Sequence, residues 1–180
     1  MLDPAFGYLI IAGAALLFAS AAVRKFQDLG RFTEIFAAYR VLPAALARRV
    51  AWLIPCIEIA IAAALSWEPG RRLGVASATL VLIAYGSGLG VNLLRGRRDL
   101  DCGCGGPRGR RSIAAWMVWR NLLLAGAVGV AAMPWSARFL GLTDALTVVG
   151  GLIAGVLLYA TADRLLGDVA PRARALKGAS

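Results

Sequence analysis

The chain has 180 residues, 59% of them hydrophobic and 17% charged, with a mean hydropathy of +0.70. Ordinary soluble domains are about 45–50% apolar and about 25% charged, so this composition argues against a soluble core and for a membrane protein. Twenty Lys and Arg against ten Asp and Glu give a net charge of +10 without a single histidine, which excludes His-based catalysis and His-ligated metal. The basic residues fall between long apolar runs, so they read as orientation signals and anionic-lipid contacts rather than a nucleic-acid surface.

A membrane span needs about 20 mostly apolar residues. Residues 5–23 carry no charge and form the first candidate. Phe18-Ala19-Ser20-Ala21 imitates a signal-peptide cleavage site, but no basic segment precedes it and the apolar run continues to Val23. It therefore reads as a retained helix. Phe26, Leu29, Phe32, Phe36 and Tyr39 then recur at three- and four-residue spacing, with Arg31, Glu34 and Arg40 between them. That pattern predicts a short amphipathic helix in the interface plane, limited by Pro43.

The second span, 50–67, is interrupted only by Glu58, and Pro55 is expected to kink it. The third, 73–94, has Asn92 near its end, the fourth, 113–133, contains Arg120, and the fifth is 145–162. Gly86/Gly90 and Gly151/Gly155 are small-xxx-small pairs suited to close helix packing. The five tryptophans, Trp52, Trp67, Trp116, Trp119 and Trp135, fall near span ends, as interface anchors do. The expected fold is all-α: a polytopic membrane helix bundle with four core transmembrane helices, a fifth C-terminal one and a short interfacial amphipathic helix. It forms a single domain over 1–164, followed by a basic tail over 165–180.

Counting Lys and Arg gives the topology. The 24–49 and 95–112 loops hold six each and the C-terminal stretch 163–180 four, against two in 68–72 and one, Arg138, in 134–144. Five spans put the rich segments on one side, 16 against 3. The positive-inside rule then sets the N-terminus outside and the 95–112 loop and the tail in the cytoplasm.

That loop contains Asp101-Cys102-Gly103-Cys104-Gly105-Gly106. A bridge between Cys102 and Cys104 would close a very small ring, with little chain-entropy benefit and strained geometry. Strained bridges are easily reduced, which suits a redox couple better than a staple. A metal site would need further soft ligands, and Cys56 is far away in sequence. Two inert thiols are the bland alternative. A reactive dithiol fits best, because six arginines outnumber Asp99 and Asp101 in the loop and positive charge favours the thiolate. The glycines let a partner's disulfide approach. Orientation alone would also account for the arginines, and both roles can hold.

Charges inside spans are costly in lipid and usually paired or functional. At about 1.5 Å per residue, Glu58 lies roughly 12 Å and Arg120 roughly 10 Å from the basic face. The expectation is a Glu58–Arg120 pair beneath the cysteine loop, with Asn121 and Asn92 in the same half of the bilayer. Such a cluster either organises helices or relays a proton. Cys56, roughly 9 Å deep, is either a third exchanging thiol or a small buried hydrophobe.

AAVRKFQDLGRF at 21–32, YRVLP at 39–43, IPCIEIAIAAAL at 54–65, GVNLLRGRRDLDCGCGG at 90–106 and WRNLLLA at 119–125 together resemble the MauE/DoxX family of redox-associated membrane proteins, the MauE branch in particular. Where the family pattern reads CGCFG, this chain reads CGCGG. The resemblance implies a multi-helix protein of the bacterial inner membrane. It implies a role in methylamine utilisation, beside a periplasmic thioredoxin-like protein that matures the disulfide-rich small subunit of methylamine dehydrogenase. The wider family includes quinone-linked sulfur oxidoreductases, so a quinone is a conceivable cofactor, although no quinone motif is visible. Carried over by position, the family's cysteine pair is Cys102 and Cys104, its acidic residue is Glu58 and its Arg-Asn is Arg120-Asn121. Apart from the resemblance, Asp101 and Cys56 are expected as further supporting residues.

The expected function is thiol–disulfide exchange with a thioredoxin-like partner. Two alternatives stay open: a non-catalytic subunit or assembly factor of a larger membrane redox complex, and a transporter of a small molecule or soft metal. The charge count puts the cysteines in the cytoplasm, whereas the resemblance implies a periplasmic partner.

Overall fold

The computed structural model describes residues 2–102 and 112–177, with backbone alone from residue 167 onward. Among these residues every regular element is a helix, with only isolated backbone bridges in place of strands. Helix α1, Pro4–Gln27, starts where Asp3 accepts a hydrogen bond from the Ala5 amide (2.9 Å) and Pro4 presets the first turn. Gly7, Ile11, Ala14, Phe18 and Ala22 recur at three- and four-residue spacing and are the face it buries. The helix runs past Val23 into Arg24 and Lys25, so these two residues belong to its last turn rather than to a loop.

The expected interfacial helix is α2, Leu29–Ala38, capped by Asp28. None of its residues is fully buried, and Phe32 and Phe36 stack with centroids 6.1 Å apart. Two residues beyond its end, Arg40 has a φ of 49°, which puts a non-glycine residue in the left-handed region. Helices α3, Ala44–Val50, and α4, Leu53–Ser66, are bent by 41° at the break between them, and the pair together is apolar enough to cross a membrane. The bend precedes Pro55, which sits in the first turn of α4, where its missing N–H costs nothing.

A short 3-10 turn, Glu68–Gly70, leads into α5, Arg71–Leu94. Helix α6 is Ala115–Val130 and α7 is Leu142–Lys177. Three helices, α1, α5 and α7, have spanning length on their own, and the bent pair makes a fourth. The expected fourth span at 113–133 is the shorter helix α6, about 24 Å long and so somewhat less than the hydrocarbon thickness. The helix expected over 145–162 continues to Lys177, through most of what the charge pattern read as a tail.

The larger of two apolar clusters is formed by α1, α4, α5 and α6 and includes Phe18, Ile61, Leu65, Leu82 and Val128; the smaller one gathers Leu89, Ile113 and Met117. Helix α7 packs along α1, where Gly151 lies against Leu9, and its apolar spanning stretch is otherwise unburied within the chain. Such outward Leu, Ile and Val suit contact with lipid tails.

At the end away from the cysteine loop the chain closes on itself. The Leu2 amide donates to Pro134 O and the Ser136 amide to Leu2 O, both at 2.9 Å. Arg138 donates to Asp3 (2.8 Å) and to Asp144 (2.7 Å), tying the starts of α1 and α7 together. Trp135 lies edge-on to Tyr8 and under the Arg71 guanidinium.

Candidate functional site

The opposite, basic end gathers α2, the start of α3, the end of α5, the start of α6 and the cysteine loop. The loop is closed at its neck. Asp101 and Ser112 form an antiparallel bridge, and the Ile113 amide donates to Leu100 O at 3.0 Å. Cys102 is half-buried beside this neck, against Leu89, Ile113 and Met117, with Tyr39 and Trp116 nearby. Cys104 lies outside the described residues. Asp101 carries an ion pair that the sequence did not reveal: Arg31 of α2 reaches it at 2.7 Å.

Asn92 holds the neck from below. Its side-chain amide donates to Tyr39 O (3.1 Å) and Gly88 O (3.0 Å) and accepts from Arg97 (3.0 Å). One fully buried polar side chain thus joins the end of α5 to the end of α2 and to the loop's first turn. Burial without such partners would carry a large desolvation penalty.

The expected Glu58–Arg120 pair is not formed. Glu58 is fully buried, and its carboxylate accepts from Lys25 Nζ at 2.6 and 2.8 Å and from the Tyr85 hydroxyl at 2.7 Å. Lys25 is in reach because α1 runs on to Gln27, and its ammonium also faces the rings of Phe32 and Tyr85. Arg120 instead pairs with Asp163 of α7 at 2.7 Å, flanked by the rings of Trp116 and Tyr159. The reason lies in helix phase. Met117, Asn121, Ala125 and Val128 form the buried face of α6, and Arg120, one position before Asn121, points about 100° away from it. Matching depth along the helices does not make a pair when the side chains point in different directions.

Asn121 sits on that buried face, its amide donating to Met117 O at 2.7 Å and its Cβ close against Gly86 of α5. Cys56 is a free thiol on the exposed side of α4, two residues from buried Glu58. The structure does not gather Cys56 into the neck. Among the described residues no group of three or more Cys, Asp or Glu side chains is placed to hold a metal ion. Sequence reasoning missed Lys25, Arg31, Tyr85 and Asp163. The one available signal was polar character within or just after an apolar run, which marks a residue without naming its partner.

Comparison with known proteins adds kinship to this geometry. The family described as methylamine utilisation protein MauE matches residues 3–135. A methylamine utilization protein MauE of Paracoccus versutus is 35% identical over 182 residues, covering 98% of this chain and 96% of that protein. That of Paracoccus denitrificans is 34% identical, covering 85% and 83%, and that of Methylophilus methylotrophus 32% identical, covering 92% and 88%. No solved structure matches the chain.

Proposed function

The chain belongs to the MauE family of methylamine utilisation proteins, and from that premise we propose that it is a multi-pass membrane accessory protein of methylamine utilisation that exchanges electrons through Cys102 and Cys104. The observation that carries the reading is the closed neck. Arg31–Asp101, the Asp101–Ser112 bridge and Asn92 fix the point at which the Cys-Gly-Cys stretch leaves the helix bundle. A redox pair needs presentation at a defined place where a partner's disulfide can approach in line.

The Cys102 thiolate attacks one sulfur of a partner disulfide, forming a mixed disulfide and releasing the partner's other thiolate. The Cys104 thiolate then attacks Cys102 Sγ, freeing the partner's second thiolate and leaving Cys102 and Cys104 bridged. Two electrons have moved to the partner, and the reverse sequence oxidises it. The partner class is a thioredoxin-like protein. The site is a bacterial inner membrane with the loop on the cytoplasmic side, a reading supported by the 16-to-3 distribution of Lys and Arg.

The test is trapping in intact cells. Replacing Cys104 with Ser is expected to leave Cys102 in a stable mixed disulfide with a thioredoxin-like protein, recovered on non-reducing gels. A cytoplasmic partner agrees with the charge count, and a periplasmic one inverts the orientation. No adduct, together with methylamine growth undiminished in a Cys102→Ser/Cys104→Ser chain, would leave a non-catalytic assembly role.

A further inference from the structure

The electrostatics at the cysteine neck come partly from outside the loop. Arg31 reaches Asp101 from α2, 70 positions earlier in the chain, and both side chains are largely screened from solvent, 27% and 14% exposed. Asp101 immediately precedes Cys102. The thiol packs on the apolar cluster of Leu89, Ile113 and Met117, and such surroundings favour its neutral form. The neighbouring carboxylate adds like charge. Both effects oppose the thiolate that attacks a disulfide.

Arg31 offsets them. Its guanidinium is held protonated above the ordinary arginine range, first by the hydrogen bond to Asp101, then by the negative charges of Asp101, Asp28 and Cys102. The other charges on the surrounding elements are few. Helix α2 adds Asp28 at its cap and Glu34. The chain from α5 to Cys102 adds Arg95, Arg97, Arg98 and Asp99, with Arg97 bonded to Asn92. Within α5 no charge lies beyond Arg72, and within α6 the only charge is Arg120, which bonds Asp163. The arginines at 108, 110 and 111 lie outside the described residues and are the same in every variant below.

We propose that Arg31 is a positioning residue that sets the thiolate character of Cys102, with Asp101 as its opposing counter-charge. This rests on the thiol–disulfide reading above and adds to it a residue from a different element. Arg31 rests on Asp101, and its positive charge, held on the residue that precedes Cys102, favours the thiolate as well.

The ion pair makes the proposal testable by sign. Arg31→Gln and Asp101→Asn each break the same contact, so a purely structural role predicts changes in the same direction. An electrostatic role predicts opposite ones. In full-length protein in phospholipid nanodiscs, with Cys56 and Cys104 replaced by Ser, Cys102 is the only thiol. Its alkylation by iodoacetamide is followed against pH. Arg31→Gln is expected to move the midpoint upward and slow the reaction about three- to tenfold at pH 7, the range one partly screened charge supplies. Asp101→Asn is expected to move it downward and speed the reaction. Arg31→Lys, which keeps the charge, should stay within about twofold of the parent.

Shifts of equal sign, or no shift in either variant, overturn the proposal. Should Arg31→Gln not fold, Asp101→Asn alone decides: faster alkylation supports the proposal, and unchanged or slower alkylation defeats it. The partner trap keeps the two claims apart. Opposite shifts without any adduct retain Arg31's role and discard exchange. Adducts with rates unmoved by either substitution retain exchange and discard Arg31.

Discussion

Glu58 is the residue whose burial most needs explaining. It is fully enclosed between helices, yet it accepts hydrogen bonds from Lys25 and Tyr85 and so unites α1, α4 and α5 at one carboxylate. Breaking a buried pair by removing one partner is far more damaging than removing both, because the survivor is left uncompensated. Lys25→Met is therefore expected to destabilise by about 3 kcal/mol, with Lys25's partial exposure holding the cost to the low end. Adding Glu58→Gln to it should cost little more, giving a coupling of about 1.5–3 kcal/mol. Thermal unfolding of the two single variants and the double variant in one detergent measures it; additive losses would mean that the pair carries no coupling.

At the scale of elements, the amphipathic helix, the apolar spans and the punctuation between them were legible because each depends on local spacing. Partners across helices were not. Arg120 and Asn121 are adjacent in sequence but serve different neighbours, and only the phase of α6 against α5 decides which of them points inward. The small-xxx-small reading was half realised. Gly86 packs on α6 and Gly151 on Leu9, while Gly90 and Gly155 face open space within the chain. A close approach of helix backbones lies at Gly74, which the pattern did not mark. A Cβ there would come within 2.8 Å of the Leu65 backbone nitrogen, and backbone cannot step aside as a side chain can. Gly74→Ala should cost about 1–3 kcal/mol by prising α4 from α5. Gly88→Ala, with nothing within 4 Å, should be neutral or stabilise by up to about 1 kcal/mol. Melting curves of the two variants give the contrast directly.

Across the whole molecule, the two ends differ in kind. The basic end presents the cysteine loop on a hydrogen-bonded neck, and the other end is shut by the Leu2–Trp135 bridge and the Arg138 ion pairs. The Asp3 carboxyl is held below its ordinary value of 3.8, first by the hydrogen bond from Arg138 and then by that from the Ala5 amide. A carboxylate depressed in the folded state contributes stability that is present above its ordinary value and lost as pH falls through the lower folded one. The closure is therefore expected to hold at neutral pH and to open below pH 3.8. Hydrogen-exchange protection of the Ser136 amide, bonded to Leu2 O, should drop over that acid range. In Arg138→Met it should already be low at neutral pH and show no acid step. Protection that persists through acid in the parent chain would assign the closure to Trp135 packing instead.

That same closure fixes a matter of parity. Residues 2–136 leave one end of the bundle and return to it after an even number of passes: α1, the α3–α4 pair, α5 and α6. Helix α7 makes the number odd. A soluble domain spliced in after residue 136 would thus emerge at the closed end, whereas one carried behind α7 would be delivered beside the cysteines. The last helix thus runs from the closed end, at Asp144, to the end that holds Cys102, where Asp163 meets Arg120.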